Sequence, residues 1–236
     1  MKLTQSQIDK LKELVEKIDE WLKQNDNLAK HLQLRKKFIG PLGEALTLIR
    51  LYEEVNPKNV DFNWQGARRK GYDIEITTKN DKKIRVQVKT SYDDPKKGFS
   101  FSVFTFTNIG KNERTILKDE YKVSKEKFKL PEKIKRIFDE QVDKKFDDKG
   151  GDIRYYWVLV SRSENGDEFF ILDKKHFKSL LKQDYERYIK KTSHRKDFNY
   201  GISKAKKLRI IFKRENIGKT LQKYKNGWDK ISRNLR

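Results

Sequence analysis

The chain has 236 residues, of which 35% are hydrophobic and 12% aromatic, enough apolar material for one large domain or one domain with an appendage. It contains no cysteine, which excludes a disulfide framework and thiolate metal sites, and it has neither a membrane-length apolar run nor a charged-then-apolar leader, so the cytoplasm is the expected compartment. With 57 Lys plus Arg against 35 Asp plus Glu the net charge is +22, which fits a polyanionic partner: nucleic acid, an anionic membrane or a ribosomal partner.

At the N-terminus Thr4 and Gln7 have capping-box spacing, and Ile8, Leu11, Leu14, Val15, Ile18, Trp21 and Leu22 follow at helical intervals. An amphipathic helix is expected there, stopped by Asn25, Asp26 and Asn27. A second helical pattern runs from Leu28 towards Glu54. Pro41 is expected to kink or restart it, which would place Glu44 in the first turn of a new helix, with Gly43 allowing a close approach to a sheet.

Two strand patterns come next, from Gly71 to Ile76 and from Lys83 to Thr90. The polar turn Lys79 to Lys82 between them predicts a β-hairpin. Alternation puts Tyr72, Ile74, Ile76, Ile84, Val86 and Val88 on one face, the core. The other face then carries Asp73, Glu75, Thr77, Arg85, Gln87 and Lys89. Glu75 reads as a surface charge before it reads as an auxiliary ligand.

The strand from Phe99 to Thr107 is too apolar to lie outside the fold. A charged stretch, Lys111 to Gly151, reads as a loop followed by a helix starting near Pro131. Its Lys118 to Lys135 part is expected to be charged surface, with the lining of a nucleic-acid groove as the alternative, and Gly150 and Gly151 mark a boundary. Tyr155 to Val160 is a continuous apolar strand of the doubly buried kind, and a turn at Glu164 to Asp167 leads to its partner, Glu168 to Asp173. Lys174 to Lys191 predicts an amphipathic helix over the sheet.

From Lys190 to Arg236 only Asp197, Glu215 and Asp229 are acidic, but Phe198, Leu208, Ile210, Phe212, Ile217, Leu221, Trp228 and other apolar residues interleave with the charges. Folding, rather than a solvated tail, is expected. His31, His176 and His194 are too scattered to form a metal site, and no glycine-rich phosphate loop suggests a nucleotide cofactor.

A helical Glu44, Asp73 on one strand and the Gln87, Val88, Lys89 triplet on the next resemble the PD-(D/E)XK nuclease superfamily over residues 36–91. Tyr72 stands where the family has proline and Gln87 where it usually has an acid; a Gln-x-Lys form resembles Mrr-type and some transposase nucleases. The resemblance implies an α/β fold, restriction-endonuclease-like, with a mixed central sheet flanked by helices, N-terminal helices and a basic C-terminal region. The corresponding segments are residues 1–36, 37–191 and 192–236.

It further implies Mg²⁺-dependent endonucleolytic hydrolysis of double-stranded DNA by a homodimer, with Mn²⁺ able to substitute. Asp73, Gln87, the Val88 carbonyl and Glu44 would hold the ion. Lys89 would hold or deprotonate the attacking water. Arg68, Arg69, Lys70, Arg195, Lys196, Lys206 and Lys207 would grip the nucleic-acid backbone. Two other readings stay open: a structure-selective nuclease of DNA junctions, repair intermediates or RNA, and a nucleic-acid-binding protein without catalysis, for which Gln87 is the best argument.

Overall fold

The computed structural model describes residues 4–54, 60–64, 72–78, 82–107, 115–116, 131–146, 153–163, 165–192 and 207–234. Its first helix, α1 (Gln5–Gln24), opens on the expected capping box, with Thr4 Oγ1 accepting from the Gln7 N–H and the Gln7 side chain accepting from the Thr4 N–H. A short α2 (Asp26–His31) leads to α3 (Leu34–Glu54), which runs unbroken through Pro41. The expected restart at Pro41 does not occur. Part of proline's steric conflict in a helix is with the Cβ of the preceding residue, and Gly40 has none. The lost hydrogen bond is offset by the buried row Leu42, Ala45, Leu48, Ile49 and Leu51. The helix also crosses the expected segment boundary at 36/37, so the N-terminal helices and the core share one element.

Five strands form a mixed sheet in the order β1-β2-β3-β5-β6: β1 (Val60–Trp64), β2 (Ile74–Thr78), β3 (Lys83–Tyr92), β5 (Ile153–Ser163) and β6 (Gly166–Asp173). The β2–β3 hairpin is antiparallel, with Ile74 opposite Val86 and Ile76 opposite Ile84. β3 and β5 are parallel and aligned from Lys83–Ile153 to Tyr92–Arg162, while β5 and β6 are antiparallel. The parallel pair is the doubly covered centre, which explains why β5 is buried continuously from Tyr156 to Arg162.

One face of the sheet presents Ile74, Ile76, Ile84, Val86, Val88, Val158 and Val160 to α1 and α3. The other presents Trp157, Leu159, Phe170 and Leu172 to a second core, built from β4 (Ser100–Thr107), α4 (Glu132–Phe146), α5 (Lys174–Thr192) and β7 (Lys207–Lys213). After β3 the chain leaves the main sheet, and β4 pairs antiparallel with β7 in a separate two-stranded ribbon. The C-terminal region is therefore part of the fold: α6 (Arg214–Leu221) buries Ile217 and Leu221, and α7 (Asp229–Arg233) buries Ile231 beside Trp228, which packs on Phe169. Arg162, almost fully buried, ties α1 to the sheet with two hydrogen bonds to Asp19, of 3.0 and 2.5 Å, and one to Asp167 at 3.2 Å.

Candidate active site

β2 and β3 are paired through Ile74 and Val86, and beyond that point they part. Asp73, in the bend before β2, closes the fork. Its N–H donates to the Val86 carbonyl at 2.9 Å, and its Oδ2 accepts from the Val88 N–H at 2.7 Å. The carboxylate thus takes the place of a ladder hydrogen bond and lies against the backbone between Gln87 and Lys89. A residue's N–H and C=O leave a strand on the same side, so the Val88 carbonyl opens onto the same space as the carboxylate.

Burial pushes the Asp73 carboxyl above its ordinary range, against the opposing pull of the Val88 N–H and of the nearby Lys89 ammonium. Asp73 Oδ1 makes no hydrogen bond among the described residues. Lys89 is half-buried, and Gln87 is buried with an Oε1 that accepts no hydrogen bond among the described residues. A buried amide oxygen left without a partner costs about 1–3 kcal/mol unless something binds it.

The helix reaches this end of β3 through Gly43. A Cβ there would lie 1.7 Å from Thr90 Oγ1, so only glycine lets α3 sit this close to the strand. Glu44, the next residue, is half-buried on the turn of α3 that meets Thr90, the neighbour of Lys89. The structure therefore brings Asp73, Gln87, Val88 and Lys89 to one fork, while the Gly43–Glu44 turn meets Thr90 on the face of β3 opposite to Gln87 and Lys89. Among the described residues no three His, Cys, Asp or Glu side chains gather as a metal site, so any ion here depends on the amide and carbonyl oxygens as well as carboxylates.

Glu75 is neither a surface charge nor a ligand. It is buried and paired with Arg85 Nε at 3.0 Å, and Arg85 also donates to the Tyr155 hydroxyl at 2.7 Å and lies over the Tyr72 ring. A cross-strand cation claims it, because Glu75 and Arg85 are register partners. Arg68, Arg69, Lys70, Arg195, Lys196 and Lys206 lie outside the described residues, as do the turn residues 79–81, most of Lys118 to Lys135, and Gly150 and Gly151. Lys207 is described only as the first residue of β7.

A feature missed in the sequence adjoins the fork. Ser91, two residues beyond Lys89, accepts from the Ser100 N–H at 2.8 Å through its Oγ and so starts β4 alongside the site. A bulge between Ser102 and Phe104 resets the alternation of β4. Phe101, Val103, Phe104 and Phe106 all turn inward, and Ser100, Ser102 and Thr105 all turn outward. Opposite these hydroxyls the β7 register places Lys213, Ile211 and Arg209. The hydroxyl pattern was present in the sequence, but without the bulge strict alternation splits it between two faces.

No protein family, curated protein or solved structure matches the chain.

Proposed function

We propose that this chain hydrolyses phosphodiester bonds of double-stranded DNA in a Mg²⁺-dependent reaction at the β2–β3 fork. The observation that carries the proposal is the buried, unpartnered Gln87 Oε1 on the strand that also holds Lys89 and receives the Asp73 carboxylate. That donor set fits a hard divalent cation, which takes oxygen ligands and tolerates neutral ones where substrate phosphate supplies the remaining charge. Asp73, Gln87 and the Val88 carbonyl would hold the ion. When bound, Mg²⁺ supplies Lewis-acid stabilisation of the phosphate oxygens and of the leaving group.

The remaining work belongs to the chain. Lys89 Nζ holds the attacking water and offsets the negative charge that grows on the non-bridging oxygens. Burial raises the Asp73 carboxyl above its ordinary range, and positive charge brought to the site would favour its ionised form. The exposed hydroxyls of Ser100, Ser102 and Thr105, facing a basic strand, suit the sugar–phosphate backbone next to the scissile bond. No helix among the described residues is long and apolar enough to cross a membrane.

One observation favours a second reading, nucleic-acid binding without cleavage: the absence of a three-acid cluster among the described residues. Incubation with a linear duplex, a four-way junction and RNA, each with Mg²⁺ and with EDTA, separates the readings. Duplex cleavage that requires Mg²⁺ supports the proposal. Cleavage confined to junctions or RNA would reassign the substrate, and binding without any cleavage would leave a non-catalytic protein.

A further inference from the structure

Every exposed large apolar side chain found among the described residues lies between positions 14 and 38, and all but Leu14 sit where the chain turns from α1 into α3. Trp21 is in the last turn of α1, Leu28 is on α2, Leu32 follows α2, and Phe38 is near the start of α3. These four are each 37–47% exposed. Because α1 and α3 pack on each other, they occupy one end of a helical hairpin. The Leu32 N–H donates to the Leu28 carbonyl at 2.9 Å, so the two leucines are one turn apart and share a side. Between Trp21 and Gln33 only Leu22 and Ala29 join the core. The other apolar groups of this tip are left facing outward.

The charges around the tip narrow what covers it. Lys23, Lys36 and Lys37 are exposed there and make no ion pair among the described residues, and Asp26, the one acid between Trp21 and Phe38, is paired with Arg35 at 3.0 Å. A partner for this end is therefore apolar and anionic at once. Nucleic acid supplies the charge, but its phosphates gain nothing from four apolar side chains. An acidic helix could lie in the groove of about 350 Å³ between α1 and α3, lined by Lys17, Ile18, Trp21, Leu34 and Phe38. It would leave Leu28 and Leu32 uncovered, since neither lines that groove. A lipid surface needs no matching shape and takes all four, with the lysine stems reaching back to anionic headgroups.

We infer that the tip formed by α1, α2 and α3 is a peripheral docking site for an anionic lipid surface. Trp21, Leu28, Leu32 and Phe38 enter the acyl boundary, and Lys23, Lys36 and Lys37 meet the headgroups. Docking of this kind lies in the interface and needs no membrane-crossing helix. The inference goes beyond the nuclease reading and does not rest on it. α1 and α3 cover the sheet face opposite to the β4–β7 ribbon, so the ribbon stays open to another partner.

Co-sedimentation of the full chain with sucrose-loaded vesicles tests it. Vesicles of phosphatidylcholine with about 30% phosphatidylserine are expected to pellet the chain at about 0.15 M salt, and phosphatidylcholine alone to leave most of it in solution. Trp21→Glu with Phe38→Glu, both at exposed positions, is expected to lower partitioning by on the order of tenfold or more, with an unchanged melting temperature. Lys36→Ala with Lys37→Ala, which leaves the apolar groups in place, is expected to lower it by on the order of tenfold. No pelleting with the anionic vesicles would overturn the inference and leave the tip to an acidic protein partner. Undiminished partitioning of the Trp21→Glu, Phe38→Glu chain would overturn it as well, because net charge alone would then hold the protein on the vesicle. So would undiminished partitioning of the Lys36→Ala, Lys37→Ala chain.

Discussion

Asp73 carries two demands that pull in opposite directions. Its burial favours the protonated form, while the proposed chemistry needs the carboxylate. A carboxyl raised by the fold contributes most at low pH, below the value of the unfolded chain, and that contribution is lost as pH rises through the folded-state value. Ionised Asp73 therefore costs stability near neutrality. Asp73→Asn keeps an acceptor for the Val88 N–H and removes the charge, so it is expected to raise the melting temperature at pH 7. That gain should shrink as pH falls through the titration range of Asp73, and the same variant should lose Mg²⁺-dependent cleavage. A variant no more stable than wild type at pH 7 would mean that the burial of Asp73 is not a strain on the fold.

Gln87→Glu tests the neighbouring donor. Charge added at Oε1 should tighten Mg²⁺ binding while preserving cleavage, read as a lower metal concentration for half-maximal rate; unfolding instead would show that the neutral amide is structural. These residues were legible in the sequence because alternation on two strands puts Gln87 and Lys89 on one face. The buried pairing of Glu75 with Arg85 was not. Alternation gives a face, but it does not say which of two cross-strand partners a charge will choose.

At the scale of elements, Gly43 is the joint between α3 and β3. Gly43→Ala forces a Cβ into Thr90, and overpacking of this kind costs about 1–3 kcal/mol. Because the shift moves the Glu44 turn relative to Lys89, cleavage should fall on the order of 10²-fold at temperatures where the variant remains folded. Thr90→Ala in the same chain should recover part of both losses. Equal stability and rate in Gly43→Ala would mean that the approach of α3 to β3 is slack.

Helix α1, the β2–β3 hairpin, β5, β6 and α5 could be read from periodicity because each buries one consistent face or, for β5 and β6, both. The reading failed where a local rule met a non-local gain. Pro41 breaks a solitary helix, yet the apolar row from Leu42 to Leu51 carries α3 through it. The pairing of β4 with β7 joins segments about a hundred residues apart, and no pattern within either strand specifies its partner.

For the whole molecule, charge governs how it meets its partners. The net charge of +22 is unevenly placed, with α1 near neutral and the β7 side basic. Binding of the Asp73→Ala variant to duplex DNA, measured without cleavage, should weaken steeply with salt, and Lys213→Ala on the ribbon should reduce the slope of log K against log salt by about one. An unchanged slope would place the DNA on another surface.

The most direct measurement is of supercoiled plasmid incubated with the wild-type chain, Asp73→Ala and Lys89→Ala, each with Mg²⁺ and with EDTA. Cleavage by the wild type with Mg²⁺ alone, and rates lower by about 10²–10⁴-fold in Lys89→Ala and at least as far in Asp73→Ala, is the expected result. Cutting by both variants at the wild-type rate, or no cutting by the wild type with Mg²⁺, would contradict a hydrolytic site at the β2–β3 fork.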